Sequence, residues 1–192
     1  VYRVSGKNVS AFVDGTEQKN VAVSADLIAE DNDALPALML RASETAEGLD
    51  GYRAVLNVKE SKIQLVKSVK GVDTVLAERE WDLAAGVSYR LSAEANGGSL
   101  KVYLNGSDKA LFAVEDISFE KGMAGLYSGQ GTSAFDNVSI NADFVNGEVL
   151  APANTAGLDA VIALAEKLDK DQYTEKSYAR VAEALAAAKE VS

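Results

Sequence analysis

Regular alternation of apolar and polar residues runs through most of this 192-residue chain, and it constrains the fold more than any other feature. In VAVSADLIAE every second residue is apolar, and the pattern continues in GYRAVLNVK, KIQLVKSVK, DTVLAEREW, VSYRLSAEA and SLKVYLNG. A period of two is typical of β-strands with one buried face. Turn-forming residues separate these segments, among them Gly71, Gly97–Gly98 and Asn105–Gly106. The pattern predicts a mainly β fold, an antiparallel sandwich or barrel.

A different period begins beyond the first domain, which we place at residues 1–146. The stretch VNGEVLAPAN contains Gly147, Pro152 and Asn154, which indicate a linker over 147–154. Apolar residues then recur at helical spacing in TAGLDAVIALAEKLD and TEKSYARVAEALAAAKEV, which predicts a helical hairpin within 155–192. Two amphipathic helices bury little apolar area alone, so we expect them to need a third helix or a docking surface.

Composition narrows the possible functions. The net charge of −10 argues against nucleic acid or an anionic membrane as partner, because both require a positive patch. The chain has no cysteine and no histidine, which excludes thiol chemistry, Cys/His zinc sites and Ser–His nucleophile pairs. No apolar run approaches the ~20 residues that span a bilayer. The chain begins at Val1 within an apparent strand, so we expect it to be part of a longer polypeptide.

Asp136 is the most unusual residue of the β region. In GTSAFDNVSI, strict alternation would place its carboxylate on one face with Ala134, Val138 and Ile140. An ionised carboxylate on a packed face is costly without a partner. It could accept backbone hydrogen bonds, form an ion pair or act as an oxygen ligand for calcium. The opposite parities of Phe135 and Val138 suggest a bulge here that would turn Asp136 away from the packed face.

Catalysis within this chain has little support in the sequence. Glycoside hydrolysis needs two carboxylates facing each other across a sugar. The acidic run AEDNDA and the pair in SETAEGLD fall between strand patterns and are typical of solvated loops. No glycine-rich phosphate loop is present, because the GQG at 129–131 is flanked by strands and not by a helix.

The order of segments in the β region resembles a known family. LPALMLRAS, GYRAVLNVKESKIQLVKS, YRLSAEANGGSLKVYLNG and KGMAGLYSGQGTSAFDNVSI together resemble concanavalin-like (jelly-roll) β-sandwiches of the family 66 carbohydrate-binding module and laminin-G-like type. The resemblance implies a module of a secreted glycosidase that binds the ends of glycan chains, fructans being the known type. It also implies a structural calcium, with Asp136 as a ligand at the rim of the sandwich. The family has an aromatic residue after GY where this chain has Arg53, so its ligand preference is expected to differ.

The C-terminal region resembles the start of a FIVAR repeat, a small three-helix module of bacterial cell-surface proteins. The residues that carry this resemblance are LDAVIALAEKLDKDQYTEKSYARVAEALAAAKEV, which match a first helix, its connection and an alanine-rich second helix. The combination implies a secreted or wall-anchored polypeptide, of Gram-positive type, whose catalytic domain lies outside this chain.

The leading hypothesis is therefore a non-catalytic carbohydrate-binding module that tethers a glycoside hydrolase to a glycan. Arg41 follows the apolar residues Leu38 and Leu40 and is expected to end its strand beside a loop. The end of that strand, the loop leading into Tyr52 and the Tyr127–Gln130 turn are expected to meet at one edge of the sandwich. The predicted ligand-facing residues are Arg41, Asp50, Tyr52, Tyr127 and Gln130. Arg41 and Gln130 would hydrogen-bond hydroxyls, Asp50 would accept from a vicinal diol and a tyrosine would stack on the sugar.

Two rival functions stay open at this point. The sandwich could be a structural module that braces a neighbouring catalytic domain, which the absence of an obvious aromatic platform favours. It could also contribute acidic residues such as Asp31 or Glu47 to a hydrolase active site.

Overall fold

The part of the chain that the computed structural model describes, residues 1–13, 15, 17–141, 144–145 and 148–149, is built from β-strands and contains no helix. In chain order the strands are β1 (Tyr2–Ser5), β2 (Val9–Phe12), β3 (Val21–Ala29), β4 (Pro36–Thr45), β5 (Gly48–Asn57), β6 (Lys62–Val69), β7 (Val72–Glu80), β8 (Ser88–Asn96), β9 (Ser99–Leu104), β10 (Phe112–Glu115), β11 (Met123–Ser128), β12 (Thr132–Asn141), β13 (Phe144–Val145) and β14 (Glu148–Val149). The alternating segments of the sequence correspond to β3 and to β5 through β9.

Twelve of these strands form two six-stranded antiparallel sheets. Sheet A has the spatial order β1-β12-β3-β8-β9-β10, and sheet B has the order β2-β11-β4-β5-β6-β7. β13 and β14 pair with each other in a separate two-stranded sheet. The predicted antiparallel sandwich is confirmed, and strands distant in sequence, such as β3 and β12, are neighbours in space.

The main core lies between the two sheets. Alternate residues of β3, such as Val23 and Leu27, belong to the same core cluster as alternate residues of β5, such as Ala54 and Leu56, and all four are fully buried. This inward set is the one that the period of two predicts, because successive side chains on a strand point to opposite faces. The turns are also where the sequence placed them, and Asn105 and Gly106 both have positive φ angles (52° and 72°).

The outer face of sheet B, which points away from this core, carries a second apolar cluster. It comprises Ala37, Met39, Ala42, Val55, Val66 and Tyr127, with Phe12, Leu35 and Leu49 packed against them. Strand register aligns the outward residues in rows that cross five strands. One row is Gly125, Met39, Arg53, Val66 and Val75, and the next is Tyr127, Ala37, Val55, Gln64 and Glu78. Residues far apart in sequence thus share one surface.

A bulge interrupts β12 where the sequence suggested one. The pairing of β12 with β3 shifts register between Asp136 and Ser139, and Asn137 has a φ of 48°. Strict alternation is therefore wrong across this segment: Phe135 and Ile140, which differ in parity, both contact the core. Asp136 leaves the packed face, and its side chain is 45% exposed.

The predicted helical module, residues 155–192, lies outside the described residues, as does most of the predicted linker. Of that linker the structure describes only Glu148–Val149, in β14. Within the same described ranges, no helix has the length and apolar character that crossing a membrane would need.

Candidate functional site

A small cavity of about 100 Å³ lies on the outer face of sheet B. We call it the outer-face cavity, and its walls are formed by Leu35, Arg53, Val55, Asn57, Gln64, Val66, Asp73, Tyr127 and Gly129. β5 supplies every second residue from Arg53 to Asn57 because outward side chains on a strand are two positions apart. The walls combine apolar surface with amide, carboxylate and guanidinium groups, which is the usual make-up of a small-molecule site.

Arg53 is the most constrained polar residue of the cavity. Its side chain is nearly buried, and its guanidinium carbon lies 4.4 Å from the centroid of the Tyr127 ring. Nη2 donates to Ser68 Oγ (2.9 Å) and to Asp73 Oδ1. Nε is buried and has no hydrogen-bond partner among the described residues. Leaving a buried donor unpaired costs about 1–3 kcal/mol, so an acceptor from a bound molecule would be stabilising here.

A chain of polar side chains crosses the other half of the cavity. Asn57 Nδ2 donates to Gln64 Oε1 (3.4 Å), and Gln64 Nε2 donates to Glu78 Oε2 (3.1 Å). Lys62 Nζ donates to Glu78 Oε1 (2.8 Å). Hydrogen bonds from Lys62 and Gln64 lower the pKa of the Glu78 carboxyl, which keeps it ionised. The chain fixes the two amides so that they present oriented donors and acceptors to a ligand.

Tyr127 is the one predicted ligand residue that lines the cavity. Its ring packs under Arg53, and its hydroxyl donates to Asn8 Oδ1 (2.9 Å) in the connection between β1 and β2. Burial is the main cause that raises the pKa of the Tyr127 hydroxyl, so the ring is neutral at physiological pH. The contact with Asn8 fixes the ring at the cavity wall.

Asp50 and Gln130 lie away from the cavity walls. Asp50 Oδ1 accepts a hydrogen bond from the Lys70 backbone amide, which joins two neighbouring hairpins. The backbone carbonyl of Gln130 accepts from the Leu35 amide (3.1 Å), and Gln130 itself is exposed. The structure therefore does not bring the five predicted ligand residues together.

Arg41 is deeply buried, with 2% of its surface exposed. It does not end its strand as the sequence suggested: β4 continues to Thr45, with a register shift between Leu40 and Ser43. The guanidinium donates to three backbone carbonyls, those of Lys19 (2.7 Å), Phe119 (3.0 Å) and Gly97 (2.7 Å). These contacts tie three loops together and engage all three guanidinium nitrogens, which argues against direct contact with a ligand. Its ligand role stays a prediction, which a variant tests below.

Tyr52 is also buried, in the core between the sheets. Its hydroxyl donates to Asp116 Oδ1 (2.7 Å), and the ring meets Phe119 edge-on at 5.3 Å. Burial and the hydrogen bond with Asp116 raise the pKa of the Tyr52 hydroxyl to about 12. Lys67 Nζ completes this network through Asp116 Oδ2 (2.6 Å). The network anchors the loop before β11, on the opposite side of sheet B from the cavity.

Asp116 should make the stability of the domain depend on pH. Its burial would raise the pKa, but hydrogen bonds from Lys67, Ser118 and Tyr52 outweigh burial and hold the pKa of this carboxyl well below its usual range. A depressed pKa contributes stability that is present above the unfolded value of about 3.9 and is lost as the pH falls below it. Urea unfolding of wild type and Asp116→Asn between pH 7 and pH 3 measures this.

The difference between the two proteins isolates Asp116 from the rest of the 29 aspartates and glutamates of the chain. We expect Asp116→Asn to be less stable at pH 7 and the difference between the two unfolding free energies to narrow as the pH falls below about 4. Parallel curves throughout the range would contradict the role assigned to Asp116.

Asp136 lies among hydrogen-bond donors. Its Oδ1 accepts from the Asn137 backbone amide (2.9 Å). The neighbouring Asp26 accepts from Arg90 (3.3 Å) and from the Asn137 side chain (2.6 Å). Across the described ranges, no group of three or more histidine, cysteine or acidic side chains could hold a metal ion. Asp136 thus braces the bulge through Asn137, and its role as a calcium ligand stays a prediction.

A melting experiment tests the calcium prediction. If calcium binds the folded domain through Asp136, excess EDTA should lower the melting temperature of wild type but not of Asp136→Asn, since a ligand of the native state stabilises it by mass action. Equal melting temperatures of wild type with EDTA and with added calcium would leave Asp136 as a hydrogen-bonding brace.

Sequence reasoning missed Arg53, Asp73, Asn57 and Gln64 as members of one site. One signal was available for Arg53: it occupies the outward position of a strand whose inward residues, Tyr52 and Ala54, are core. The alternation allows a polar residue there, but it does not show what that residue binds. The partners could not be found because the register between β5, β6 and β7 is needed to place them side by side.

No family model matches the sequence of this chain. It is 31% identical over 103 residues to a levanase of Bacillus subtilis (strain 168), an alignment that covers 54% of this chain. The chain spans only 15% of the length of that levanase.

Solved structures share the fold. A family 66 carbohydrate-binding module from Bacillus subtilis matches with a TM-score of 0.62 and 22% identity, over 72% of this chain and 94% of the module. The exoplasmic domain of VIP36, solved with Ca²⁺ and Man3GlcNAc, matches with a TM-score of 0.55 and 11% identity, over 76% of this chain and 78% of that domain. The Caenorhabditis elegans galectin LEC-6 matches with a TM-score of 0.51 and 13% identity, over 72% of this chain and 95% of the galectin. The chain therefore has a galectin-like or concanavalin-like sandwich, as expected.

Proposed function

We propose that this chain is a non-catalytic carbohydrate-binding module and that the outer-face cavity is its sugar site. The observation that carries this proposal is Arg53, a cavity-wall residue that is nearly buried and whose Nε has no hydrogen-bond partner among the described residues. Its guanidinium is a fixed hydrogen-bonding group packed on the Tyr127 ring. Sugars present the complementary surface, since they combine apolar C–H faces with hydroxyls that accept and donate hydrogen bonds.

The size of the cavity suits one sugar ring. At about 100 Å³ it is smaller than the ~300–1,000 Å³ pockets that enclose drug-sized molecules. A single ring could insert between Arg53 and the amides of Asn57 and Gln64, while the rest of a glycan stays in solvent.

The carboxylates near the cavity favour binding over hydrolysis. Glycosidases place two carboxyl groups on opposite sides of the scissile bond. Here Asp73 and Glu78 both belong to β7 and so lie on the same side of the cavity. Each is also held in an ion pair, Asp73 with Arg53 and Glu78 with Lys62. This arrangement does not resemble a catalytic pair.

We further propose that the module belongs to a secreted glycoside hydrolase. The levanase match supports this context and makes levan, a fructose polymer, the first ligand to test. The mannose-containing ligand of VIP36 makes mannan the second. A module that holds its enzyme on the polymer raises the effective substrate concentration without any catalytic residue of its own.

Calorimetric titration with levan, inulin, mannan and galactan tests the proposal. We expect heat of binding with levan, or else with one of the other neutral polymers, at one site per module. Bovine serum albumin under the same conditions controls for non-specific heat. No binding to any of the four polymers, with calcium present, would contradict a carbohydrate-binding function.

A further inference from the structure

We propose that Arg53 and Asp73 act together as a donor–acceptor pair that recognises two neighbouring hydroxyls of a neutral sugar. This inference rests on the proposed function and concerns the same cavity. Arg53 Nε donates to one hydroxyl oxygen, and Asp73 Oδ2 accepts the proton of the next hydroxyl.

The position of Arg53 is fixed by three groups. Tyr127 packs against the face of the guanidinium, while Ser68 and Asp73 accept from Nη2. Nε and Nη2 share one edge of a guanidinium, so an acceptor on Nε lies beside the groups that Nη2 binds. A hydroxyl at Nε would therefore lie next to the Asp73 carboxylate.

The two oxygens of Asp73 have different surroundings. Oδ1 accepts from Ser68 Oγ (2.7 Å) as well as from Arg53. Oδ2 has no hydrogen-bond partner within the described part of the chain, and the Asp73 side chain is 54% exposed. Asp73 also lines the cavity. One oxygen thus positions Arg53, and the other is available to a ligand.

Charge balance at the cavity selects a neutral sugar. The Arg53 cation is paired with Asp73, and the Lys62 cation is paired with Glu78. No unpaired cation is left among the lining residues, and the chain carries a net charge of −10. A uronate or sialate carboxylate would meet Asp73 without a compensating positive charge, which is unfavourable.

The test compares Asp73→Asn with a matched control, Glu80→Gln. Asparagine keeps an oxygen that can accept from Arg53 and Ser68, but it replaces the free acceptor with an amide donor. Glu80→Gln removes the same charge from the same strand, at a position that does not line the cavity. We expect Asp73→Asn to bind levan or mannan about tenfold or more weakly, because a hydrogen bond to a charged group is lost, and Glu80→Gln to stay within about twofold. Wild type should not bind polygalacturonate.

Deoxygenated monosaccharides show whether Asp73 contacts the sugar or only positions Arg53. The probes are methyl β-D-fructofuranoside and methyl α-D-mannopyranoside, each beside forms that lack one ring hydroxyl. Removing the hydroxyl that Asp73 binds should weaken binding to wild type by about tenfold and binding to Asp73→Asn by much less. A double cycle that combines the protein substitution with the hydroxyl removal measures this coupling. Melting temperatures show that each variant is folded.

The outcomes distinguish the two proposals. If wild type binds no neutral polymer, both the proposed function and this inference fail. If wild type binds but Asp73→Asn binds equally well, or every hydroxyl removal affects the two proteins alike, the carbohydrate site stands and the donor–acceptor pair is overturned. Tight binding of polygalacturonate would overturn the selection of neutral sugars.

Discussion

Arg53→Met should weaken binding of the cognate polysaccharide by about a hundredfold while leaving the fold intact. Arg53 lines the cavity, buried and packed on an aromatic ring, and such residues typically contribute a few kcal/mol to binding when truncated. The variant removes the unpaired Nε donor and the anchor that Asp73 and Ser68 hold. Asp73 is 54% exposed, so water can replace the lost ion pair and the melting temperature should fall little. Calorimetry with levan measures the loss.

Two further variants make this result specific. Arg53→Lys keeps the charge but loses the planar fork and the Nε donor, so it should also bind poorly. Arg79→Met removes a cation from β7 at a position that does not line the cavity, and it should bind like wild type. Normal binding by Arg53→Met would exclude the outer-face cavity as the sugar site.

Arg41→Leu should lower the free energy of unfolding by about 3 kcal/mol or more. The guanidinium donates to the carbonyls of Lys19, Gly97 and Phe119, and hydrogen bonds that involve a charged group contribute ~1.5–3 kcal/mol each, although not additively. Burial lowers the pKa of Arg41. An arginine guanidinium stays protonated in proteins, so the cation is retained in the fold. Urea unfolding measures the loss, and the folded fraction should bind glycan with wild-type affinity.

The backbone at Arg41 provides the control for this prediction. Arg41 has a φ of 48°, a backbone region that glycine adopts at little cost. The backbone is also tightly packed here, because a Cβ added to Gly122 would lie 2.4 Å from the carbonyl carbon of Arg41. Arg41→Gly relieves the backbone but loses the guanidinium, so it should still be destabilised. A stable Arg41→Leu variant that fails to bind glycan would instead support the ligand role predicted from the sequence.

The fold could be predicted from the sequence because one physical rule decides most of it. Residues such as Val23, Ala54 and Leu56 alternate with polar residues, and burial of one face follows directly. The rule fails at bulges. Strict alternation puts Asp136 and Ile140 on one face of β12, but an extra residue in the strand places them on opposite faces. The sequence indicated the bulge itself. The direction of each neighbouring side chain could not be predicted, because it depends on the register between β12 and β3.

The site was harder to predict than the fold because it depends on contacts across strands. Tyr127 was identified by its chemistry, and it does line the cavity. Tyr52 was chosen on the same grounds, although its alternation with Ala54 already indicated burial. Arg53 and Asp73 are 20 positions apart in sequence, and only the pairing of β5 with β6 and of β6 with β7 brings them together.

The most direct test of the sugar site is an NMR titration with levan oligosaccharides, using ¹⁵N-labelled protein. The Arg53 Nε–H signal and the side-chain amide signals of Asn57 and Gln64 should shift as ligand is added, while the Asp50 and Gln130 signals should not. Shifts confined to Asp50, Gln130 or the strands of sheet A, under conditions where calorimetry detects binding, would contradict a sugar site at the outer-face cavity.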